Sequence, residues 1–125
     1  MKKNKRILVI DDMSTHLLLL QSILEEEGYN VITVDNGEDA LKIIEKDNNL
    51  DMILLDIMMP GIDGFEVLRR MDTSEDKEKL PIIIVSAKTD TWSIKNAMDL
   101  GAYDYITKPL NIHDIRNKVN SALNQ

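Results

Sequence analysis

The chain has 125 residues, no cysteine and a formal net charge of -7, with 43% hydrophobic and 30% charged residues. This length and composition predict one globular domain, residues 1–125, and exclude thiol redox chemistry and thiolate metal sites. The negative charge disfavours direct binding to nucleic acid or insertion into anionic membranes. The basic start is followed by the apolar residues 7–10 only, too short for an export signal, and no stretch approaches the roughly 18 apolar residues of a membrane span. We therefore expect a cytoplasmic protein.

Short apolar runs alternate with helical patterns along the whole chain. The runs, each predicting a strand, are residues 7–10, 31–34, 52–55, 82–85 and 103–106. The apolar residues that recur at helical spacing after these runs are Leu17, Leu20 and Leu24; Leu41 and Ile44; Phe65, Leu68 and Met71; Ile94, Ala97 and Met98; and Ile112, Ile115 and Val119. Asn36 is placed to cap the second helix, and Gly28 and Gly101 are placed to end the first and fourth. The alternation predicts an α/β domain with a parallel sheet covered by helices on both faces.

The strand order follows from the composition of the runs. Runs one, three and four are uninterrupted and rich in branched residues, as buried central strands are, whereas Thr33 and Asp104 interrupt runs two and five. With runs two and five at the edges, the order 2-1-3-4-5 keeps the most consecutive strands adjacent. This flavodoxin-like order reverses between strands one and three, and ligands of such sheets bind beyond the carboxyl ends of the strands at the reversal.

Chemically active side chains follow the strands at that reversal. Asp11 and Asp12 follow strand one, Asp56 follows strand three, Ser86 follows strand four and Lys108 follows strand five. Two like charges about 4 Å apart repel by roughly 4 kcal/mol at an effective dielectric near 20. Three ionised aspartates beside one lysine therefore require a cation. Mg²⁺ suits a site with few carboxylates, because it keeps several waters and is completed by phosphate oxygens.

Each of these residues also has a structural explanation when it is taken alone. An acidic residue after a strand is often a turn or helix cap, Ser86 could cap the fourth helix, and a single lysine is usually a solvated charge. Their occurrence together, at the strand ends that one topology brings to the same edge, favours a site that handles phosphate.

Around these strand ends the sequence carries four motifs. They are Asp11-Asp12, the segment 54–64 with Asp56 and Pro60-Gly61, Val85-Ser86-Ala87 and Lys108-Pro109. Over residues 7–123 the chain thereby resembles the receiver domains of two-component response regulators, including the single-domain chemotaxis regulator. The resemblance implies a signalling domain that is not a conventional enzyme, with phosphotransfer and dephosphorylation chemistry directed at itself.

The resemblance also assigns roles to the residues at the site. It implies that Asp56 is the phosphoacceptor, and that Mg²⁺ is bound by Asp12, Asp56 and the Met58 carbonyl, with Asp11 acting mainly through water. The phosphodonor would be a phosphohistidine on a sensor histidine kinase or a histidine phosphotransfer protein, and a downstream protein partner would respond to the phosphorylated form.

The remaining residues are assigned roles in binding the phosphoryl group and in passing the signal to the protein surface. By the resemblance, Lys108 binds a phosphoryl oxygen, Ser86 bonds another after phosphorylation, and the Lys108-Pro109 peptide is cis. Tyr105 is the switch aromatic, expected to start from an exposed position and to enter the volume that Ser86 vacates. The face that then changes would be the fourth helix, fifth strand and fifth helix.

Few positions depart from the family pattern. Ser86 replaces the commoner threonine, and Met58 and Lys88 occupy the two positions that, by the resemblance, tune how fast the phosphoryl group is lost. For Trp92, near the start of the fourth helix, we expect core packing.

Three other functions remain open on the residues alone. A haloacid-dehalogenase-like phosphatase also uses an aspartate nucleophile with Mg²⁺, but needs an Asp-x-Asp pair, and Met13 follows Asp11-Asp12 here. A flavodoxin would bind its flavin phosphate with a loop rich in Ser, Thr and Gly, which acidic residues would oppose. A phosphorylation-independent pseudo-receiver would lack one of the chemical positions.

Overall fold

The computed structural model describes residues 5–71 and 80–124. The strands are β1 (Arg6–Ile10), β2 (Asn30–Val34), β3 (Met52–Leu55), β4 (Ile82–Ser86) and β5 (Asp104–Thr107). The helices are α1 (Ser14–Glu26), α2 (Gly37–Lys46), α3 (Gly64–Met71), α4 (Thr91–Asp99) and α5 (Ile112–Leu123). Most of the basic start, residues 1–4, lies outside the described residues. Among the helices that are described, none is long and apolar enough to span a membrane.

The strands form one parallel sheet in the order β2-β1-β3-β4-β5, as predicted. Ile10, the last residue of β1, pairs with Val34 at the end of β2 and with Leu55 at the end of β3. The carboxyl ends of these strands are therefore level, and the loops after β1 and β3 leave the sheet side by side.

Alternate strand residues face two separate hydrophobic cores. Leu8, Ile10, Ile53 and Leu55 pack with residues of α2, α3 and α4. On the opposite face, Ile7, Val9, Met52 and Leu54 pack with residues of α1 and α5. Because both faces of the central strands are covered, these strands need apolar residues at every position, and this explains their uninterrupted runs.

The predicted helix signals are confirmed. The Asn36 side chain accepts a hydrogen bond of 2.8 Å from the Asp39 N–H and caps α2. Gly28 and Gly101 have φ angles of 95° and 107°, which side chains with a Cβ rarely adopt. The cap of α4 is Asp90, which accepts from the Ser93 N–H at 3.0 Å, so Ser86 is not needed as a helix cap.

Trp92 does not pack in the core, and the expectation that it does is wrong. Its side chain is 66% exposed and makes one edge-to-face ring contact, with Phe65 of α3, at a centroid distance of 5.7 Å. Ser93 and Ala97, four residues apart, form the buried stripe of α4. Successive helical residues point about 100° apart, so Trp92 lies off that stripe.

Gly64 lets α3 begin directly against the backbone that follows β3. A Cβ on Gly64 would lie 2.4 Å from the Asp56 carbonyl oxygen and 2.7 Å from the Ile57 Cα. The Gly64 N–H donates to the Ile57 carbonyl at 2.9 Å. The first turn of α3 thereby fixes the main chain at Asp56.

We predict that Gly64→Ala lowers the free energy of unfolding by roughly 1–3 kcal/mol, since the added methyl group must displace backbone atoms. Urea denaturation measures the loss. Gly61→Ala is the control, because Gly61 has a φ of 77° but no atom within 4 Å of its Cβ position, leaving only the backbone cost. A Gly64→Ala protein as stable as the parent would contradict the close approach.

Candidate functional site

Main-chain hydrogen bonds carry the sheet one residue past the strands and position the site. The Asp56 N–H donates to the Ile10 carbonyl at 2.9 Å, and the Asp11 N–H donates to the Val34 carbonyl at 3.2 Å. The Lys108 N–H donates to the Ser86 carbonyl at 2.9 Å. The side chains of Asp56, Asp11 and Lys108 therefore project from backbone that the sheet holds in place.

Asp11, Asp12 and Asp56 form a group of carboxylates whose oxygen atoms, one from each residue, lie within 4.8 Å of one another. Asp11 and Asp56 are buried, whereas Asp12 is exposed. One oxygen of each buried carboxylate is already fixed by a backbone donor. The Met13 N–H donates a hydrogen bond to Asp11 Oδ1 at 2.9 Å, and the Met58 N–H donates one to Asp56 Oδ1 at 3.2 Å.

The other oxygens of the two buried carboxylates face the Lys108 ammonium. Lys108 Nζ donates to Asp11 Oδ2 at 2.9 Å and to Asp56 Oδ2 at 3.1 Å, and only 10% of the lysine side chain is exposed. The Lys108-Pro109 peptide bond is cis, as expected. The sheet thus brings the predicted lysine between two of the three predicted aspartates.

Burial and neighbouring charges shift the pKa values of Asp56 and Lys108 in opposite directions. Burial raises the pKa of Asp56 above its ordinary value, and the hydrogen bond and charge of Lys108 only partly offset that rise. Burial lowers the pKa of Lys108, but the hydrogen bonds to Asp11 and Asp56 and the charges of these two carboxylates together outweigh burial and leave this pKa raised. The lysine therefore stays charged while Asp56 is short of compensating positive charge.

His16, which belongs to none of the sequence motifs, also lies at the site. Its Nδ1 atom lies 2.8 Å from Lys108 Nζ and 3.4 Å from Asp11 Oδ2. The sequence held a signal for it: an α-helix that begins two residues after Asp12 presents its first turn to the edge where the aspartates lie.

Ser86, at the end of β4, and Tyr105, in β5, are linked through one loop residue, Lys88. Ser86 is fully buried, and its Oγ accepts from the Lys88 N–H at 3.2 Å. The Tyr105 hydroxyl donates to the Lys88 carbonyl, and Tyr105 is 7% exposed. The expected exposed starting position of Tyr105 is therefore wrong for this structure. The Tyr105 ring is already buried, because its hydroxyl finds a hydrogen-bond acceptor, the Lys88 carbonyl, in the buried position.

The donor set fits a small divalent cation. The residues of the group offer carboxylate oxygens, which are the ligands that Mg²⁺ and Ca²⁺ take, and the group contains no thiolate or imidazole that would favour zinc. One lysine leaves two of the three carboxylate charges uncompensated. The site can thus bind a divalent cation and, beside it, an anionic oxygen.

Comparisons with known proteins agree with this geometry. The family model described as response regulator receiver domain matches residues 7–120. The chain is 40% identical over 120 residues to the alkaline phosphatase synthesis transcriptional regulatory protein PhoP of Bacillus subtilis (strain 168), covering 96% of this chain and 49% of that protein. It is 36% identical to sporulation initiation phosphotransferase F of the same organism, covering 96% of this chain and 94% of that protein. The chain thus spans about half the length of the first relative and nearly all of the second.

A solved structure is similar over almost the whole fold. The response regulator receiver domain protein (CheY-like) from Methanospirillum hungatei JF-1 superposes with a TM-score of 0.89 at 30% sequence identity. The match covers 98% of this chain and 95% of that chain.

We predict that Asp56→Asn raises the free energy of unfolding at neutral pH in EDTA, by on the order of 1 kcal/mol, since it removes a buried charge and keeps an amide oxygen as acceptor. A raised folded-state pKa means that the folded protein loses stability as the pH rises through that pKa. Below the ordinary carboxyl pKa of about 4, Asp56 is protonated in the folded and the unfolded state, and the stability advantage of Asp56→Asn should vanish.

Urea denaturation across this pH range measures the difference in the free energy of unfolding, and Asp99→Asn, at an exposed aspartate of α4, is the control. A destabilised Asp56→Asn protein at pH about 7 would contradict the assigned direction.

Proposed function

The chain belongs to the response regulator receiver domain family, and on that premise we propose that Asp56 accepts a phosphoryl group from a phosphohistidine on a sensor histidine kinase or a histidine phosphotransfer protein. The observation that carries the proposal is the buried Asp56 carboxylate, which lies 3.1 Å from Lys108 Nζ and within the group of three aspartates. The domain would extend over residues 1–125 and act in the cytoplasm on a downstream protein partner, without binding nucleic acid itself.

The transfer requires little covalent chemistry from the protein. An Asp56 carboxylate oxygen attacks the phosphorus, the phosphorus–nitrogen bond of the donor breaks, and the leaving imidazole nitrogen keeps the electron pair and takes up a proton. Lys108 contributes by exchanging the Asp56 oxygen for a phosphoryl oxygen, so that its charge stays beside the transferred group. In the return reaction, water attacks the same phosphorus, and the products are the free carboxylate and inorganic phosphate.

Mg²⁺ is the cation we propose for the carboxylate group, with Asp12, Asp56 and the Met58 carbonyl as ligands and Asp11 acting through water. When bound, it neutralises the two charges that Lys108 leaves uncompensated. The exposed position of Asp12 supports entry of the ion from solvent, and the fixed Met58 N–H keeps the following loop against Asp56.

The output would start from the loop between β4 and α4. Lys88 contacts Ser86 through its N–H and Tyr105 through its carbonyl, so a movement of this loop alters both contacts. After phosphorylation, the Ser86 hydroxyl, which here accepts from the Lys88 N–H, would donate a charge-assisted hydrogen bond to a phosphoryl oxygen. The inward Tyr105 found here would then be favoured over an outward one, and the surface of α4, β5 and α5 would shift between two populations.

We predict that acetyl phosphate with Mg²⁺ adds one phosphoryl group to Asp56, measured as the intact mass of the protein. EDTA and Asp56→Asn should each abolish the adduct, Asp12→Ala should slow its formation about tenfold or more by weakening Mg²⁺ binding, and hydroxylamine should remove it as it does an acyl phosphate. Asp99→Asn is the matched control and should be labelled as the parent is. Full labelling of Asp56→Asn would move the site elsewhere.

We also predict that phosphorylation changes amide hydrogen exchange across residues 87–106, and that Ser86→Ala is phosphorylated but gives a weaker change because it has no hydroxyl for the phosphoryl oxygen. Ser22→Ala, at an exposed position of α1, should respond as the parent does. Unchanged exchange in this segment at full Asp56 occupancy, with a response in α1 or α2 instead, would contradict the proposed output surface.

A further inference from the structure

The Lys108 ammonium has a third close contact that the proposed phosphotransfer does not use. Its three N–H donors face three acceptor atoms: Asp11 Oδ2 at 2.9 Å, Asp56 Oδ2 at 3.1 Å and His16 Nδ1 at 2.8 Å. An ammonium group donates three hydrogen bonds and accepts none. The imidazole therefore completes the set of acceptors around this nitrogen.

The same contact indicates which tautomer of the imidazole is present. Because Lys108 Nζ can only donate, His16 Nδ1 must accept, and the ring proton must sit on Nε2. A protonated ring would place an N–H and a second positive charge 2.8 Å from the ammonium. The longer distance of 3.4 Å between Nδ1 and Asp11 Oδ2 fits two acceptors that share one donor group.

His16 is held by a rigid element. It lies in the first turn of α1, where its N–H donates to the Met13 carbonyl at 3.0 Å, and its side chain is 25% exposed. The turn begins two residues after Asp12, so the helix sets the distance between the imidazole and the carboxylates. The imidazole can thus position the end of a long, flexible lysine.

We propose that His16 is a positioning residue, whose neutral imidazole holds the Lys108 ammonium between Asp11 and Asp56 through the acceptor atom Nδ1. The inference rests on the proposed phosphoacceptor function of Asp56. During transfer Lys108 exchanges its Asp56 contact for a phosphoryl oxygen, while the contacts to His16 and Asp11 remain and keep the ammonium in place. Without His16 the third donor turns to water and the lysine gains rotational freedom.

The choice of acceptor atom can be tested with two amides. The side-chain oxygen of His16→Asn can take the place of Nδ1, whereas the amide of His16→Gln reaches the place of Nε2. We expect the initial rate of labelling of Asp56 by acetyl phosphate to fall roughly fivefold in His16→Leu and His16→Gln, the loss of one ordinary hydrogen bond. His16→Asn should stay within about twofold of the parent on the same scale. Mg²⁺ affinity should be unchanged in all three, since the three carboxylates proposed to hold the ion do not include His16.

A double-mutant cycle tests whether His16 acts through the lysine. In a Lys108→Met background, His16→Leu should have no further effect on the labelling rate, whereas independent action would give the same fivefold loss again. His113→Leu, at the exposed histidine of α5, is the control and should leave the rate unchanged. An equal loss in both backgrounds would overturn the positioning role.

A second readout does not require phosphorylation. In the unphosphorylated protein, the Lys108 ammonium protons should exchange slowly with water by nitrogen-15 NMR, and this protection should survive His16→Asn but not His16→Leu. If the parent is not labelled on Asp56, the proposed function is wrong, and the ammonium signal still tests His16. If the parent is labelled, and His16→Leu retains both its labelling rate and its ammonium protection, the inference on His16 is wrong and the proposed function stands.

Discussion

One ammonium group holds the site together. Lys108 Nζ, just after β5, contacts the carboxylates that follow β1 and β3. A single ammonium group therefore connects the three loops that follow these strands. Removing the lysine would leave two buried carboxylates unpaired, and such charges are costly in a protein interior. The level strand ends of the sheet are what make this contact possible, because they bring residues 97 and 52 positions apart in the chain within hydrogen-bonding distance.

The fold could be predicted from the sequence because its signals are local and repeated. Strands buried on both faces must be apolar at each position, and the interruptions at Thr33 and Asp104 marked the edges of the sheet that the structure has. The strand ends then identify Asp11, Asp12, Asp56 and Lys108 as neighbours, because the carboxyl ends of parallel strands meet at one edge of the sheet. Topology alone converts these sequence positions into one site.

The side-chain details could not be predicted in the same way. Trp92 is apolar enough for a core, but the rotation of α4 is set by Ser93 and Ala97, whose small size lets the helix approach the sheet. Tyr105 turns inward because one loop carbonyl, that of Lys88, is within reach of its hydroxyl. The start of α1 two residues after Asp12 places His16 near the carboxylates, but its contact with Lys108 depends on the angle at which α1 enters. Each of these outcomes depends on the orientation of a helix or a rotamer, which hydrophobic periodicity does not encode.

The edge-to-face contact between Phe65 and Trp92 gives the molecule an optical property. Phe65 follows Gly64, which lies against the Asp56 backbone, and Trp92 is the only tryptophan in the chain. The emission of an indole depends on its exposure to water, and a change in the spacing between α3 and α4 would change how far Phe65 shields Trp92. The chain therefore carries its own spectroscopic label between the start of α3 and the start of α4.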